Sequence, residues 1–402
     1  MKTKRNILII SILLISKFAI SQTIDDKIFT AEIELKNNNF AKAAMLFSEI
    51  NDKQKSNEVL QKQALAFYYS GNYIKAIGDF ETLLNRNSSL SSIYLSKCYA
   101  LLNEKEKSLE FLKLHLQNSN KESEATIKMD TAFNNLKNDK EWEKFWLKDW
   151  YSTKEIELAE ANYYFKNNRN IEALENLDAF LSINTDSHEA YYLRASVFFK
   201  LEDYKNASKD VKNAVELKKN EEKYLFLQAE IAKELKKYKI ALDNYTILLK
   251  IDKYNFDYYI KRAETYSLME NYTAAIEDIN HCLKYNSENS LLKNAKARYQ
   301  INSGETWDAL ITINQLIAKE PTNPDYLVTR GLLYTKTSNT NSAFKDFTQA
   351  LDYNPNIGEA YFQLAQLSLK EKNIENACFY LKTAIKLGVS KANEAFEKNC
   401  QE

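Results

Sequence analysis

Apolar positions along this chain recur three and four residues apart, and the polar breaks between the apolar runs are themselves periodic. Small residues mark the period best. Ala173, Ala207, Ala241, Ala275, Ala309, Ala343 and Ala377 follow one another at intervals of 34 residues. Twelve residues before each lies a second small slot, occupied by Ala161, Ala195, Ala229, Ala263, Ala297, Gly331 and Ala365. Large side chains frame the first slot, with Tyr204, Tyr238 and Tyr272 three residues before it and Val211, Tyr245, Ile279 and Phe347 four after. Spacings of three and four trace one face of an α-helix. Each 34-residue unit therefore holds two helices, and its two small slots predict a close approach of their backbones. Pro321 and Pro355, each twelve residues past its alanine, fall where a unit should end.

Three looser units precede these seven. Phe40, Ala43 and Phe47 begin the first, Ala64, Tyr73, Ala76 and Phe80 the second, and Ser96, Tyr99, Ser108 and Leu112 the third. The register breaks between Lys121 and Tyr151, where Trp142, Phe145, Trp146 and Trp150 lie along one helical face. Such a face serves as an aromatic plug that seals the end of a sub-array, or as a patch on which a partner docks, so Trp142, Trp146 and Trp150 are candidate docking residues. After the last unit, Lys391 to Glu402 places Ala395 and Phe396 among polar residues, a capping helix for the open end.

These residues resemble the tetratricopeptide repeat family, built from 34-residue helix-turn-helix units with two small packing slots and a proline near the unit's end. The clearest units are Tyr258 to Asn289 and Pro324 to Ile357; the latter carries Gly331, Tyr334, Ala343, Phe347, Ala350 and Pro355. The family's tryptophan is replaced by Tyr191, Leu225, Tyr259, Lys293, Leu327 and Tyr361, and the proline occurs only twice. The resemblance implies an all-α, right-handed α-solenoid of about ten repeats in two sub-arrays. Residues 22–120 hold the irregular repeats, 121–151 a closing or linker segment, 152–391 the seven regular repeats and 392–402 the cap. It also implies a partner-binding groove lined by the first helix of each unit. By register that groove includes Tyr192, Phe226, Ile260, Asn294, Val328 and Phe362, and one turn on Glu230, Glu264 and Arg298, with Glu189, Lys223, Asp257 and Glu359 near the helix starts. The surface predicted is mixed apolar and acidic. It lacks the Lys, Asn and Arg set with which some members of the family grip a terminal carboxylate.

Composition narrows the picture. Only 6 Gly and 3 Pro in 402 residues leave little material for hairpins, and 45% apolar residues suffice for a continuous core. Lys2, Lys4 and Arg5, the apolar stretch Ile7 to Ile15 and Ala19-Ile20-Ser21 read as a secretory signal cleaved after Ser21. The stretch is shorter than the roughly 20 residues a membrane span needs. Cleavage would leave 51 basic against 55 acidic residues, a net charge of −4, which speaks against a nucleic-acid partner. The chain is expected in the periplasm, at the cell surface or in the medium.

Catalytic chemistry is not indicated. His115, His188 and His281 lie in different repeats with no ligand spacing between them. There is no phosphate-binding glycine loop and no nucleophile elbow, and Ser303-Gly304 reads as the turn within one unit. Of Cys98, Cys282, Cys378 and Cys400, only Cys378 and Cys400 are candidates for a disulfide. No metal or cofactor is called for. A protein or peptide held in the groove is the partner these features favour; the alternative is that the chain is itself an accessory subunit of an envelope enzyme or assembly complex, docked through Trp142 to Trp150.

Overall fold

The computed structural model describes residues 24–86, 90–118 and 121–400, so the predicted signal segment lies outside the described residues. Among these residues every regular element is helical. By compactness the chain divides into two units. The first holds the residues up to Lys237 together with Ile247–Asn255; the second holds Tyr238–Thr246 and everything from Phe256 on.

The first unit opens with helix α1 (24–36), α2 (Phe40–Lys53), α3 (Asn57–Tyr69), α4 (Tyr73–Leu84), α5 (Ser91–Leu101) and α6 (Lys105–Leu116). Two short helices, α7 (Glu124–Met129) and α8 (Lys140–Phe145), flank a 3₁₀ turn at Thr131–Phe133. Regular pairs then follow: α9 (Thr153–Lys166) with α10 (Asn170–Ile183), and α11 (His188–Lys200) with α12 (Tyr204–Leu217), before α13 (Glu222–Glu234). Helix α14 (Tyr238–Ile251) is divided between the units. The second unit continues with α15 (Phe256–Leu268), α16 (Tyr272–Tyr285), α17 (Ser290–Ser303), α18 (Thr306–Lys319), α19 (Pro324–Lys336), α20 (Thr340–Tyr353), α21 (Gly358–Lys370), α22 (Ile374–Lys386) and α23 (Lys391–Asn399).

The small slots meet inside these hairpins. All seven alanines of the 34-residue series are fully buried, and so are their partners twelve residues earlier. In the irregular repeat of α5 and α6 serines occupy both slots. Ser96 Oγ donates to the Ser108 carbonyl at 2.8 Å, and Ser108 Oγ donates to the Ser96 carbonyl at 2.9 Å. Two side chains that small, each reaching the other's backbone, fix how near the helices lie. At Gly331 the approach is closer still: a β-carbon there would stand 2.6 Å from the Phe347 ring.

Each helix pair is joined by a turn whose middle residue has left-handed backbone angles. Asn168, Glu202, Lys236, Glu270, Gly304, Ser338 and Lys372 all have φ near +60° or above, repeating every 34 residues. Gly304, at φ +97°, is the one glycine among these seven, and it ends α17 as the Ser303-Gly304 turn predicted.

The Trp142 segment is chiefly a plug. Trp142 is 4% exposed and packs with Ile93, Leu112, Leu116, Phe133 and Leu136, while Phe145, Trp146 and Trp150 lie half-buried against that cluster. Trp150 Nε1 donates to the Phe145 carbonyl at 2.9 Å, tying the turn after α8. At the other end α23 covers Leu381 and Ala384 with Ala392, Ala395 and Phe396, and Cys378 and Cys400 form a disulfide.

Candidate functional site: a groove in the first unit

Three consecutive helix starts define the groove, and local sequence sets each. Ser152 caps α9: its hydroxyl accepts from the Glu155 backbone N–H while the Glu155 carboxylate accepts from the Ser152 N–H at 2.8 Å. Ser187 caps α11 through the Ala190 N–H. Lys218 and Glu221 pair at 2.8 Å just before α13. These starts bring Glu155, Glu189 and Lys223, each in the first turn of its helix, to one rim. One turn further, Leu158, Ala159, Tyr192 and Leu193 form the floor and Asn162 offers an amide. Lys121, Ser123 and Tyr151 close the side, giving a cavity of about 540 Å³.

The aromatic floor is built in depth. The Tyr192 ring lies 4.9 Å from that of Tyr224, and Lys223 Nζ sits over both at 5.4 and 5.3 Å. Tyr224 Oη and His188 Nδ1 are 2.8 Å apart. Burial raises the pKa of both phenols, so they act as neutral aromatic and hydrogen-bonding surfaces rather than as bases. The side wall is held by Tyr151, whose hydroxyl donates to the Glu122 carbonyl at 2.6 Å beneath the Lys121 ammonium. Lys121 reaches Glu155 at 2.9 Å. Burial works to raise the Glu155 carboxyl, but the Ser152 N–H and Lys121 outweigh it and hold the group below its ordinary value.

Of the residues placed in a groove by register, Tyr192 lines this cavity, and Phe226 and Glu230 lie on the next first helix, α13. Glu230 is paired with Lys233 at 3.1 Å. The second unit holds the others. Ile260 is half-buried on α15, and Glu264 pairs with Lys261 at 3.1 Å. Arg298 donates to Glu359 at 2.7 Å, joining α17 to α21. Phe362 packs beside the Leu381 cluster. Val328 corrects the register reading: at 3% exposure it is core, clustered with Leu327, with Phe347 of α20 and with Leu364 of α21, which leave it no open face. Trp142 is likewise core rather than docking surface. The rim is also less acidic than expected. Lys121, Lys218 and Lys223 balance Glu155, Glu189 and Glu221, since Lys121 and Lys218 come from segments outside the first helices.

Register did not expose the strongest electrostatic feature. Arg194, Arg262 and Arg330 each donate through Nε and Nη2 to both oxygens of an aspartate sixteen residues on, Asp210, Asp278 and Asp346, at 2.6–2.8 Å. The third arm, Nη1, reaches sixteen residues back, to Asp178, Thr246 and Asn314. Each clamp thus ties three helices. The aspartates are almost fully buried, so loss of the arginine would leave an uncompensated charge. The clamps recur every 68 residues, in alternate repeats, and only a search at twice the repeat length would reveal them.

Among the described residues no group of three or more His, Cys, Asp or Glu side chains is placed to hold a metal ion, and no helix is long and apolar enough to cross a membrane. Helix pairs with interlocked small slots, stacked repeat on repeat, define an all-α helical repeat solenoid. The tetratricopeptide repeat model matches residues 256–289, 324–357 and 358–387, and a model described as anaphase-promoting complex, cyclosome, subunit 3 matches 160–246. The chain is a tetratricopeptide repeat protein. A tetratricopeptide repeat protein from Parabacteroides merdae shares the fold at a TM-score of 0.58 and 17% identity, over 62% of this chain and 99% of that one. The C-terminal part of a TPR repeat-containing protein from Cytophaga hutchinsonii aligns at a TM-score of 0.42 and 17% identity, over 59% of this chain and 98% of that one. In sequence, the tetratricopeptide repeat and J domain-containing co-chaperone DNJ1 of Fusarium oxysporum f. sp. lycopersici is 36% identical over 75 residues. That match spans 19% of this chain and 14% of that protein.

Proposed function

We propose that this chain is an exported, non-catalytic scaffold that holds a peptide segment of a protein partner in the groove at the starts of α9, α11 and α13. The observation that carries the reading is the cavity itself: an apolar floor of Leu158, Leu193 and Tyr192, an amide at Asn162 and a rim of both charges. An extended peptide presents apolar side chains to such a floor and charged ones to its rim. Export is supported by the leader-like N-terminus and by the Cys378–Cys400 disulfide, a bond kept in oxidising compartments. The burial of Trp142 weighs against docking through the tryptophan segment.

The test uses Glu189 and Lys223, which are exposed, so that their replacement spares the fold. Affinity capture from envelope extract is compared between the intact chain and Glu189→Lys/Lys223→Glu. A protein recovered with the intact chain and lost with the equally stable variant supports the groove; identical recovery by both removes it from consideration.

A further inference from the structure

In a repeat array each unit touches only its neighbours, yet helix α1 meets a turn more than two hundred residues away. Tyr254 Oη donates to Asp25 at 2.7 Å and Lys253 Nζ to the same carboxylate at 3.0 Å, 229 and 228 residues apart in sequence. The Phe29 and Tyr254 rings meet edge to face at 4.9 Å, and both residues are buried. Beneath them Lys62 of α3 pairs with Glu32 of α1 at 2.5 Å, with Glu58 at 3.4 Å and with Asp252 at 3.8 Å. All these residues belong to the first unit. Stacking of repeats does not require this contact.

We propose that α1 is a strap that joins the two ends of the first unit, clasped by the Asp252–Tyr254 turn, and that it opens without unfolding the repeats between. The charge inventory of the clasp carries the argument. Lys62 faces Glu32, Glu58 and Asp252 and lies 5.7 Å from the Tyr254 ring; Tyr254 faces Asp25, Glu58 and Asp252, with Lys253 beside it. Four carboxylates therefore share two ammonium groups. Lys62, Glu32 and Asp252 are mostly buried, whereas Asp25 and Lys253 are 36% and 53% exposed at the rim. Desolvation of such a cluster consumes most of its Coulomb gain, so the clasp holds α1 with little to spare. Burial outweighs the Lys62 ammonium and raises the Glu32 carboxyl, while at Lys62 burial is outweighed by Glu32, Asp252 and Glu58, which together raise the ammonium, as expected where acids outnumber the ammonium they share. The groove at residues 121–223 lies between the two joined ends in sequence, but the strap does not depend on what the groove binds.

The two partners of the central ion pair should then act in opposite directions. Native-state hydrogen exchange of the full chain at neutral pH is measured for Lys62→Met and Glu32→Gln. Lys62→Met leaves three acids facing one another without their ammonium, and protection of helix 24–36 should fall at least tenfold while α11 and α12 keep theirs. Glu32→Gln removes the excess carboxylate and should leave protection of 24–36 equal or higher. The proposal is overturned if both variants loosen 24–36 alike, the behaviour of an ordinary structural salt bridge. It is equally overturned if 24–36 exchanges in step with α11 and α12 in every form, because the strap would then have no motion of its own.

Discussion

Single residues in this chain are judged by what the second helix of a pair allows them. Gly331 has no space for a methyl group: a β-carbon would meet the Phe347 ring at 2.6 to 2.8 Å. Gly331→Ala should destabilise the second unit by about 1–3 kcal/mol, and Phe347→Leu in the same chain should recover part of it; thermal melting reads both. Asp79 shows the opposite problem, a charge without its clamp. It occupies the position of Asp210, three residues past its small slot, but Gln63 stands where the arginine would be. Burial pushes its carboxyl up to about 6, against a smaller pull from the Gln63 hydrogen bond. A carboxyl raised in the folded state holds a proton that the unfolded chain has released, so it costs stability as pH rises from about 4 to 6. Asp79→Asn should therefore stabilise the chain at pH 7.5 by about 1 kcal/mol, a figure reduced for the group's partial exposure. The gain should vanish at pH 4. A gain independent of pH would mean that the charge is not the cause.

At the scale of the helix pair, the left-handed turn residue is the repeated weak point. Asn relieves the steric cost at Asn168, and Gly304 removes it, but Lys236 and Glu270 keep side chains at φ +58° and +59°. Lys236→Gly in the first unit and Glu270→Gly in the second should each stabilise by about 0.5–1 kcal/mol, the steric relief exceeding the entropy cost of glycine. Urea midpoints of the two variants check this, and a loss of stability in both would show that the turn is not strained. The Ser303-Gly304 turn was legible because glycine announces such a conformation in sequence; Gly71, at φ +79° between α3 and α4, carries the same signal, whereas Glu202 and Lys372 carry none. The small slots were legible throughout, since a backbone approach tolerates Ala, Gly or Ser and little else. The clamps were not: Arg194 and Asp210 sit on different helices, sixteen residues apart, and return only every second repeat. Tyr192 could be placed in a groove by register, but of the two lysines that reverse the acidic reading of its rim, Lys121 lies where the register breaks and Lys218 lies at the end of a second helix, outside the first helices from which the groove was read.

At the scale of the molecule, a stack of repeats is stabilised by neighbour contacts and frays from its ends, so the treatment of an end decides how much of the array stays folded. The C-terminal end of the second unit combines an apolar cover with a covalent tie. Ala392, Ala395 and Phe396 of α23 close over Leu381 and Ala384, and the Cys378–Cys400 bond spans 22 residues. A covalent loop of that size restricts the unfolded ensemble by roughly 3 kcal/mol in the chain-entropy picture. That contribution is confined to the last repeat, because an Ising-like array passes stability only from neighbour to neighbour. Reduction of the disulfide should thus raise hydrogen exchange in α22 and α23 by about a hundredfold, leaving α15 and α16, three pairs away, at their original rates. Cys378→Ser/Cys400→Ser should reproduce the pattern. Exchange that rises equally from α15 to α23 would mean that the second unit unfolds as one cooperative body, and the disulfide would then be a lock on the whole unit rather than a stop against fraying at its end.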